Sequence, residues 1–275
     1  ADVSLDSNNG HVRIYQRDAS NTTVVPYGWT KLGGDIIGDL SGDQLGSSVS
    51  LSSDGTIVAI GASSADVSLD SNNGHVRIYQ RDASNTTVVP YGWTKLGDDI
   101  IGDLSGDQLG SSISLSSDGT IVAVGAPMAD VSLNSNHGLV RVYQRDASNT
   151  TVVPYGWTKL GGDIIGDLSG DQLGSSVSIS NDGTILAVGA PMADISLNSN
   201  HGLVRIYERD LSNTTVEPIG WTKLGTDISG AFTNDKFGHS VSLNGRGTVL
   251  AVGDGGSANI KIVETGASFT TTTTT

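Results

Sequence analysis

Asp35, Asp39 and Asp43 stand four residues apart in a glycine-rich stretch of the chain. Carboxylates gathered in this way can divide general acid and base work between them. The same residue type also closes turns. The stretch recurs along the chain, and the last copy keeps Asp227 but then reads Gly230-Ala231-Phe232-Thr233-Asn234-Asp235. Catalysis asks for one asymmetric site rather than several equal ones, so turn chemistry is the better reading. The histidines, His11, His75, His137, His201 and His239, fall in no Gly-x-Ser-x-Gly elbow and no His-Glu-x-x-His helix. Trp29, Trp93, Trp157 and Trp221 are expected to pack between sheets rather than to stack on sugars. No enzyme is expected. If an isolated break in symmetry hosts one, it is expected in the divergent residues 230–256, with Phe232, Arg246 and Asp254.

Modification and metal chemistry offer further candidates. Asn-Thr-Thr occurs at Asn21, Asn85, Asn149 and Asn213, each an N-glycosylation acceptor pattern, with a solvated turn as the competing reading. Thr270, Thr271, Thr272, Thr273, Thr274 and Thr275 form a tract that reads as a linker or an O-glycosylated stalk. Oxygen-bearing residues alternate from Asp2 through Asp6 to Gly10, and again from Asp66 through Asp70. This is a weak calcium candidate, because Asp6 becomes Asn134 and Asn198 in later copies and Asx-rich turns form without metal. No other cofactor is expected.

Composition removes several classes. Fifteen Lys and Arg against 29 Asp and Glu leave a net charge of −14 over 275 residues, without the basic patch that phosphate contacts need. With no cysteine, there is no disulfide framework, thiol nucleophile or thiolate zinc site. No apolar run is long enough to span a membrane as a helix. No signal segment opens the sequence, so the chain is expected to be cytosolic or already processed.

The elements that must position these residues come from a repeat. Ala1-Asp-Val-Ser-Leu returns at Ala65 and Ala129, and as Ala193-Asp-Ile-Ser-Leu, a period of 64 residues. Residues 1–64 and 65–128 are identical at 59 positions. Each unit reads as four short strands. Ser48–Ser52 alternates polar with apolar residues, and Asp54-Gly55 supplies a hairpin turn. Thr56–Ile60 is a β-branched run expected to be covered on both faces. His11–Arg17 alternates again, and Gly28–Gly33 is the fourth strand, with Lys31 guarding an exposed edge. Such units in tandem predict an all-β fold, a β-propeller of four-stranded antiparallel blades, with a β-solenoid as the rival. Gly46, Ser47 and Ser48 suit the crowded axis.

Leu109-Gly110-Ser-Ser-Ile-Ser-Leu, then Val122-Ala-Val-Gly125-Ala126-Pro127, then Gly138-Leu-Val-Arg-Val-Tyr143, resembles an FG-GAP repeat, the blade unit of the integrin α-subunit propeller and of many microbial and algal surface proteins. Phe237-Gly238 matches the opening dipeptide, for which Leu45-Gly46, Leu109-Gly110 and Leu173-Gly174 stand in. Gly-Ala-Pro is present at Gly125–Pro127 and Gly189–Pro191, becoming Gly61-Ala62-Ser63 and Gly253-Asp254-Gly255 elsewhere. The calcium loop of many members has shrunk here to Ser52-Ser53-Asp54-Gly55, whose single carboxylate cannot serve the ion.

Residues 1–264 are thus expected to form one repeat domain, with units from 1, 65, 129 and 193 and a partial unit from 257, then a threonine-rich tail at 265–275. Seventeen strands are expected where four blades need sixteen, so residues 11–17 compete with 258–263 for one place. A closed four-blade ring, a segment of a longer array and pairing of the surplus strand with a neighbouring molecule all stay open. The resemblance and the identity of the units imply an extracellular or cell-surface module, structural or adhesive, acting through repeated protein or self contacts. A lectin-type propeller is the alternative. Expected partners are another copy, a surface protein or a glycan, with no nucleic acid and no membrane span.

Overall fold

A computed structural model describes residues 8–67, 71–130, 136–194, 200–256, 260–264 and 270–274. The described residues are all-β and contain no helix. They form five antiparallel sheets in chain order. The first holds only β1 (His11–Arg17) and β2 (Trp29–Ile37). The second runs β3 (Ser48–Leu51), β4 (Ile57–Ala62), β5 (His75–Arg81), β6 (Trp93–Lys95), with β7 (Ile100–Ile101) also on β5. The third and fourth repeat that order with β8 (Ser112–Leu115), β9 (Ile121–Ala126), β10 (Leu139–Arg145), β11 (Trp157–Lys159), β12 (Ile164–Ile165), and then β13 (Ser176–Ile179), β14 (Ile185–Ala190), β15 (Leu203–Arg209), β16 (Trp221–Lys223), β17 (Ile228–Ser229). The fifth is β18 (Phe237–Leu243), β19 (Val249–Asp254), β20 (Ile260–Glu264) and β21 (Thr270–Thr274).

Local chemistry explains the hairpins. Asp54 Oδ1 accepts from Ser52 Oγ at 2.7 Å and from the Thr56 backbone N–H at 2.9 Å, closing the turn between β3 and β4. β4, β9 and β14 are buried almost throughout, as their apolar runs predict. The fourth strand of each complete unit differs from expectation. It breaks into two pieces around Gly97, Gly161 and Gly225, which take positive φ, whereas β2 runs through the equivalent Gly33 with a register shift against β1. An irregularity of this kind re-aims the residues beyond it.

Neighbouring sheets are locked through the glycines that carry the FG-GAP resemblance. A Cβ on Gly61, Gly125 or Gly189 would lie 2.2, 2.1 or 2.0 Å from the carbonyl oxygen of Gly110, Gly174 or Gly238. The same carbonyls accept from Ser48, Ser112 and Ser176 Oγ at 2.6, 2.7 and 2.7 Å. Glycine is required there by close backbone approach. Further out, Trp93, Trp157 and Trp221 are each 1% exposed, and each indole N–H reaches back to the preceding unit, to Leu32, Leu96 and Leu160 O at 3.0, 2.8 and 2.9 Å. Trp29 departs from this pattern at 47% exposed, because no earlier sheet stands before it among the described residues.

Both competing strands exist. Residues 11–17 open the first sheet, and residues 260–264 lie in the fifth beside β21. The threonine tract, expected as a tail, pairs through Thr270–Thr274 as the outer strand of that sheet. Thr275 lies outside the described residues.

Candidate functional site

The third residue of each long strand is an arginine: Arg13, Arg77, Arg141 and Arg205. Strand alternation sets it on one face with the tyrosine two residues on. Arg77 donates through Nε to Asp99 of its own unit at 3.1 Å and through a terminal nitrogen to Asp39 of the unit before. Arg141 joins Asp163, at 3.0 Å, and Asp103 in the same way, and Arg205 joins Asp227 and Asp167. Lys95, Lys159 and Lys223 pair with Asp99, Asp163 and Asp227 four residues on. The first three sheet-to-sheet junctions thus each carry two carboxylates, two cations and a buried tyrosine. Among the described residues, Arg13 has only Asp35, which Lys31 also meets.

Burial opposes the charged form of Asp163, but the bonds from Arg141 and Lys159 outweigh it and hold the carboxyl below its usual range. Burial likewise opposes ionisation of Asp99 and Asp227, and there the lysine and arginine partners prevail. Burial pushes Tyr143 up to about 12. A carboxylate with a depressed folded pKa contributes stability that is complete above its unfolded value, about 3.9, and is lost as pH falls towards the folded one. The melting temperature is therefore expected to fall steeply below about pH 4. Asp163→Asn is expected to lower it at pH 7 and to flatten that acid limb, which differential scanning calorimetry across pH 2–7 measures. Asp107 and Asp171, raised by burial, act in the opposite sense.

Clefts open over these junctions. One of about 640 Å³ lies between the second and third sheets, lined by Lys95, Asp98, Asp99, Asp103 and Tyr143. Another, of about 820 Å³, lies between the third and fourth, lined by Asp163, Asp167, Arg205, Tyr207, Glu217 and Lys223. Both suit a small ligand. They differ in which side supplies a carboxylate to one backbone N–H. In the first, Asp98 Oδ2 accepts from the Tyr155 backbone N–H at 3.3 Å. In the second, the residue equivalent to Asp98 is Gly162, and Glu217, where the other units have valine, accepts from the equivalent Ile219 N–H at 3.2 Å. A Cβ on Gly162 would stand 2.6 Å from Glu217 Oε2, so the glycine makes room for the carboxylate. The repeat symmetry is broken in both clefts, by Asp98 in the first and by Glu217 in the larger.

The residues singled out by sequence take several places in the fold. Asp43 caps its turn, Oδ2 accepting from Leu40 N–H at 2.9 Å, whereas Asp35 and Asp39 are ion-pair partners rather than turn residues. The sequon amide of Asn21 donates to the Val24 and Trp29 carbonyls at 2.8 and 2.6 Å, and Asn149 and Asn213 repeat that arrangement. Asn85 donates to Trp93 O at 2.8 Å. The nitrogen that would carry a glycan holds its own loop closed in each case. Asp66 accepts from Asn72 N–H at 2.7 Å, and Asp2, Asp6 and Asp70 lie outside the described residues. Among the described residues, no three His, Asp or Glu side chains gather as metal ligands. His75 is buried with Nε2 unpartnered. Burial, then the charge of Arg77, holds its pKa below the ordinary value. Sequence reasoning misses the arginines and Glu217. The signal for Glu217 is present, as the single acidic residue at a position that is otherwise Val25, Val89 and Val153.

No family model and no curated protein sequence matches the chain. Among solved structures, the periplasmic gluconolactonase of Pseudomonas aeruginosa shares the fold, with a TM-score of 0.57 and 11% identity over 98% of this chain. The chain spans 65% of the length of that structure. The likeness identifies the class as a propeller-like all-β fold. It also corrects two expectations. A structural or adhesive module, with a lectin as its alternative, and the absence of enzymatic activity both give way, because the protein sharing this fold is an enzyme.

Proposed function

We propose that this chain is an exported, propeller-type hydrolase of small hydroxylated cyclic esters, with its site in the cleft between the third and fourth sheets. The observation that carries the reading is the break of symmetry at Glu217, which puts a carboxylate in this cleft where the other units have valine. The gluconolactonase fold supports the substrate class, and its periplasmic setting supports export. An FG-GAP origin of the repeat and a four-blade count belong to the same proposal, supported by the glycine-to-carbonyl contacts that recur between the second, third, fourth and fifth sheets.

The cleft's groups suit ester hydrolysis. Arg205 and Lys223 offer N–H donors to a carbonyl oxygen that gains negative charge. Glu217 takes a proton from a water that attacks the carbonyl carbon. Collapse of the tetrahedral adduct breaks the ring C–O bond, and the departing alkoxide recovers that proton from Glu217. Water is consumed and a hydroxy acid leaves. Tyr207 and the remaining carboxylates are placed to bond ring hydroxyls.

The test is hydrolysis of glucono-1,5-lactone measured with a pH indicator against the spontaneous rate. Turnover above background that drops at least tenfold in Glu217→Gln is expected. Absence of any acceleration, or an unchanged Glu217→Gln variant, contradicts the proposal.

A further inference from the structure

β1 is half paired. Its counterparts β5, β10 and β15 each lie between an outer strand and a six-residue inner one, β4, β9 or β14, whereas β1 pairs with β2 alone. Its other ladder edge is open among the described residues. Tyr15 is 38% exposed, where Tyr79, Tyr143 and Tyr207 are buried. An open edge of this length is a template for another strand.

The fifth sheet ends the described array. β19 is the repeat equivalent of β4 and holds β20 in the place that β5 takes on β4. Ile262 faces Ala251 as Ile78 faces Ala59, but no further sheet covers it among the described residues, and it is 47% exposed where Ile78 is fully buried. The acceptor that a tryptophan would fill is also present. Leu224 occupies the position of Leu32, Leu96 and Leu160, whose carbonyls receive the indole N–H groups of Trp93, Trp157 and Trp221. No described donor reaches the Leu224 carbonyl, and Trp29 makes no described bond through its indole nitrogen.

We infer that β1 and β2 of a second copy of this chain complete the fifth sheet, β1 pairing with β19 in place of β20. The register is that of β4 and β5, where Ile57 faces Gln80 and Ala62 faces His75. It sets Val249 opposite Gln16 and Asp254 opposite His11, an acidic side chain against an imidazole where the internal units place alanine. Trp29 of the incoming copy then meets the Leu224 carbonyl, and its Tyr27 carbonyl faces the Thr226 N–H. This repeats the bonds from Gly34, Asp98 and Gly162 N–H to Tyr91, Tyr155 and Ile219 O, at 2.7, 2.9 and 2.7 Å. One contact is not reproduced. The position of Asp39, Asp103 and Asp167 is Ala231, so Arg13 keeps only its own unit's aspartate. The contact is heterologous, using different surfaces of the two copies.

The chain has no cysteine, so crosslinks report the pairing cleanly. Facing residues of an antiparallel pair lie within disulfide reach. A Gln16→Cys chain mixed with a Val249→Cys chain and oxidised should give a covalent dimer. Replacing Val249→Cys by Leu250→Cys, which points to the other face, should cut the yield at least fivefold. Light scattering of the unmodified chain should show mass rising with concentration, and Trp29→Ala should weaken that association at least tenfold. A constant monomer mass with no crosslink overturns the inference. A Gln16→Cys, Val249→Cys double variant that links only within one chain also overturns it, in favour of ring closure.

Discussion

Replacing Trp157 by alanine is expected to destabilise the fold by about 3–5 kcal/mol, the range for removing a fully buried large aromatic side chain. The indole is 1% exposed, packs in the core between the second and third sheets with Leu96, Leu109 and Tyr143, and donates to Leu96 O at 2.8 Å. Its loss leaves a cavity at a sheet junction and an unpaired carbonyl. Trp29→Ala in the monomeric chain should cost less than about 1 kcal/mol, because the side chain is half exposed and bridges no two sheets. Urea unfolding monitored by circular dichroism compares the two. Stacked repeats need not unfold in one step, so Trp157→Ala should also split or broaden the transition. Equal effects at the two positions would contradict the account of the tryptophan as the inter-sheet bolt.

Gly189→Ala is expected to cost about 3 kcal/mol or more, as an overpacked contact that no rotamer can relieve. The new methyl group would sit 2.0 Å from the Gly238 carbonyl oxygen, a backbone atom of the next sheet. The sheets would have to separate, weakening the Ser176 bond to the same oxygen. Gly253 is the equivalent position in the fifth sheet, and there the nearest atom is the Ser240 hydroxyl at 2.4 Å, which can rotate away. Gly253→Ala should therefore be tolerated to within about 1 kcal/mol. Melting temperatures of the two variants test the contrast. A harmless Gly189→Ala would mean that the glycine is kept for reasons other than sheet approach.

These contrasts also show how far the sequence is readable. The repeat, the strand patterns and the Asp54-Gly55 hairpin come from local chemistry, and the structure has them where the pattern puts them. Tryptophan packing is also legible, since one large aromatic per unit needs a recurring junction. The ion-pair network is not, because Arg77 finds Asp99 22 residues ahead and Asp39 38 residues behind. Nothing local in Gly38-Asp39 distinguishes a turn carboxylate from one that reaches a neighbouring unit. The broken fourth strand escapes a sequence reading because a glycine after Leu96 suits the end of a strand as well as a bend within one. Glu217 is hidden for a different reason. The conspicuous asymmetry of the chain lies in residues 230–256, and a single Val-to-Glu change inside a matching turn resembles drift. Only the cleft shows that it faces Gly162 and takes the backbone N–H that Asp98 takes in the neighbouring cleft. The repeat also hides the fold's likeness to an enzyme, because near-identical units suggest repetition of a task.

The most direct test of the central claim is a chemical-shift titration of the full chain with a non-hydrolysable sugar lactam. Perturbations confined to the Gly162 and Ile219 amides, the Arg205 side chain and Lys223 are predicted, with the equivalent Asp98, Tyr155 and Arg141 signals unmoved. Equal shifts at both clefts, or none at either, would contradict a single functional junction built by Glu217.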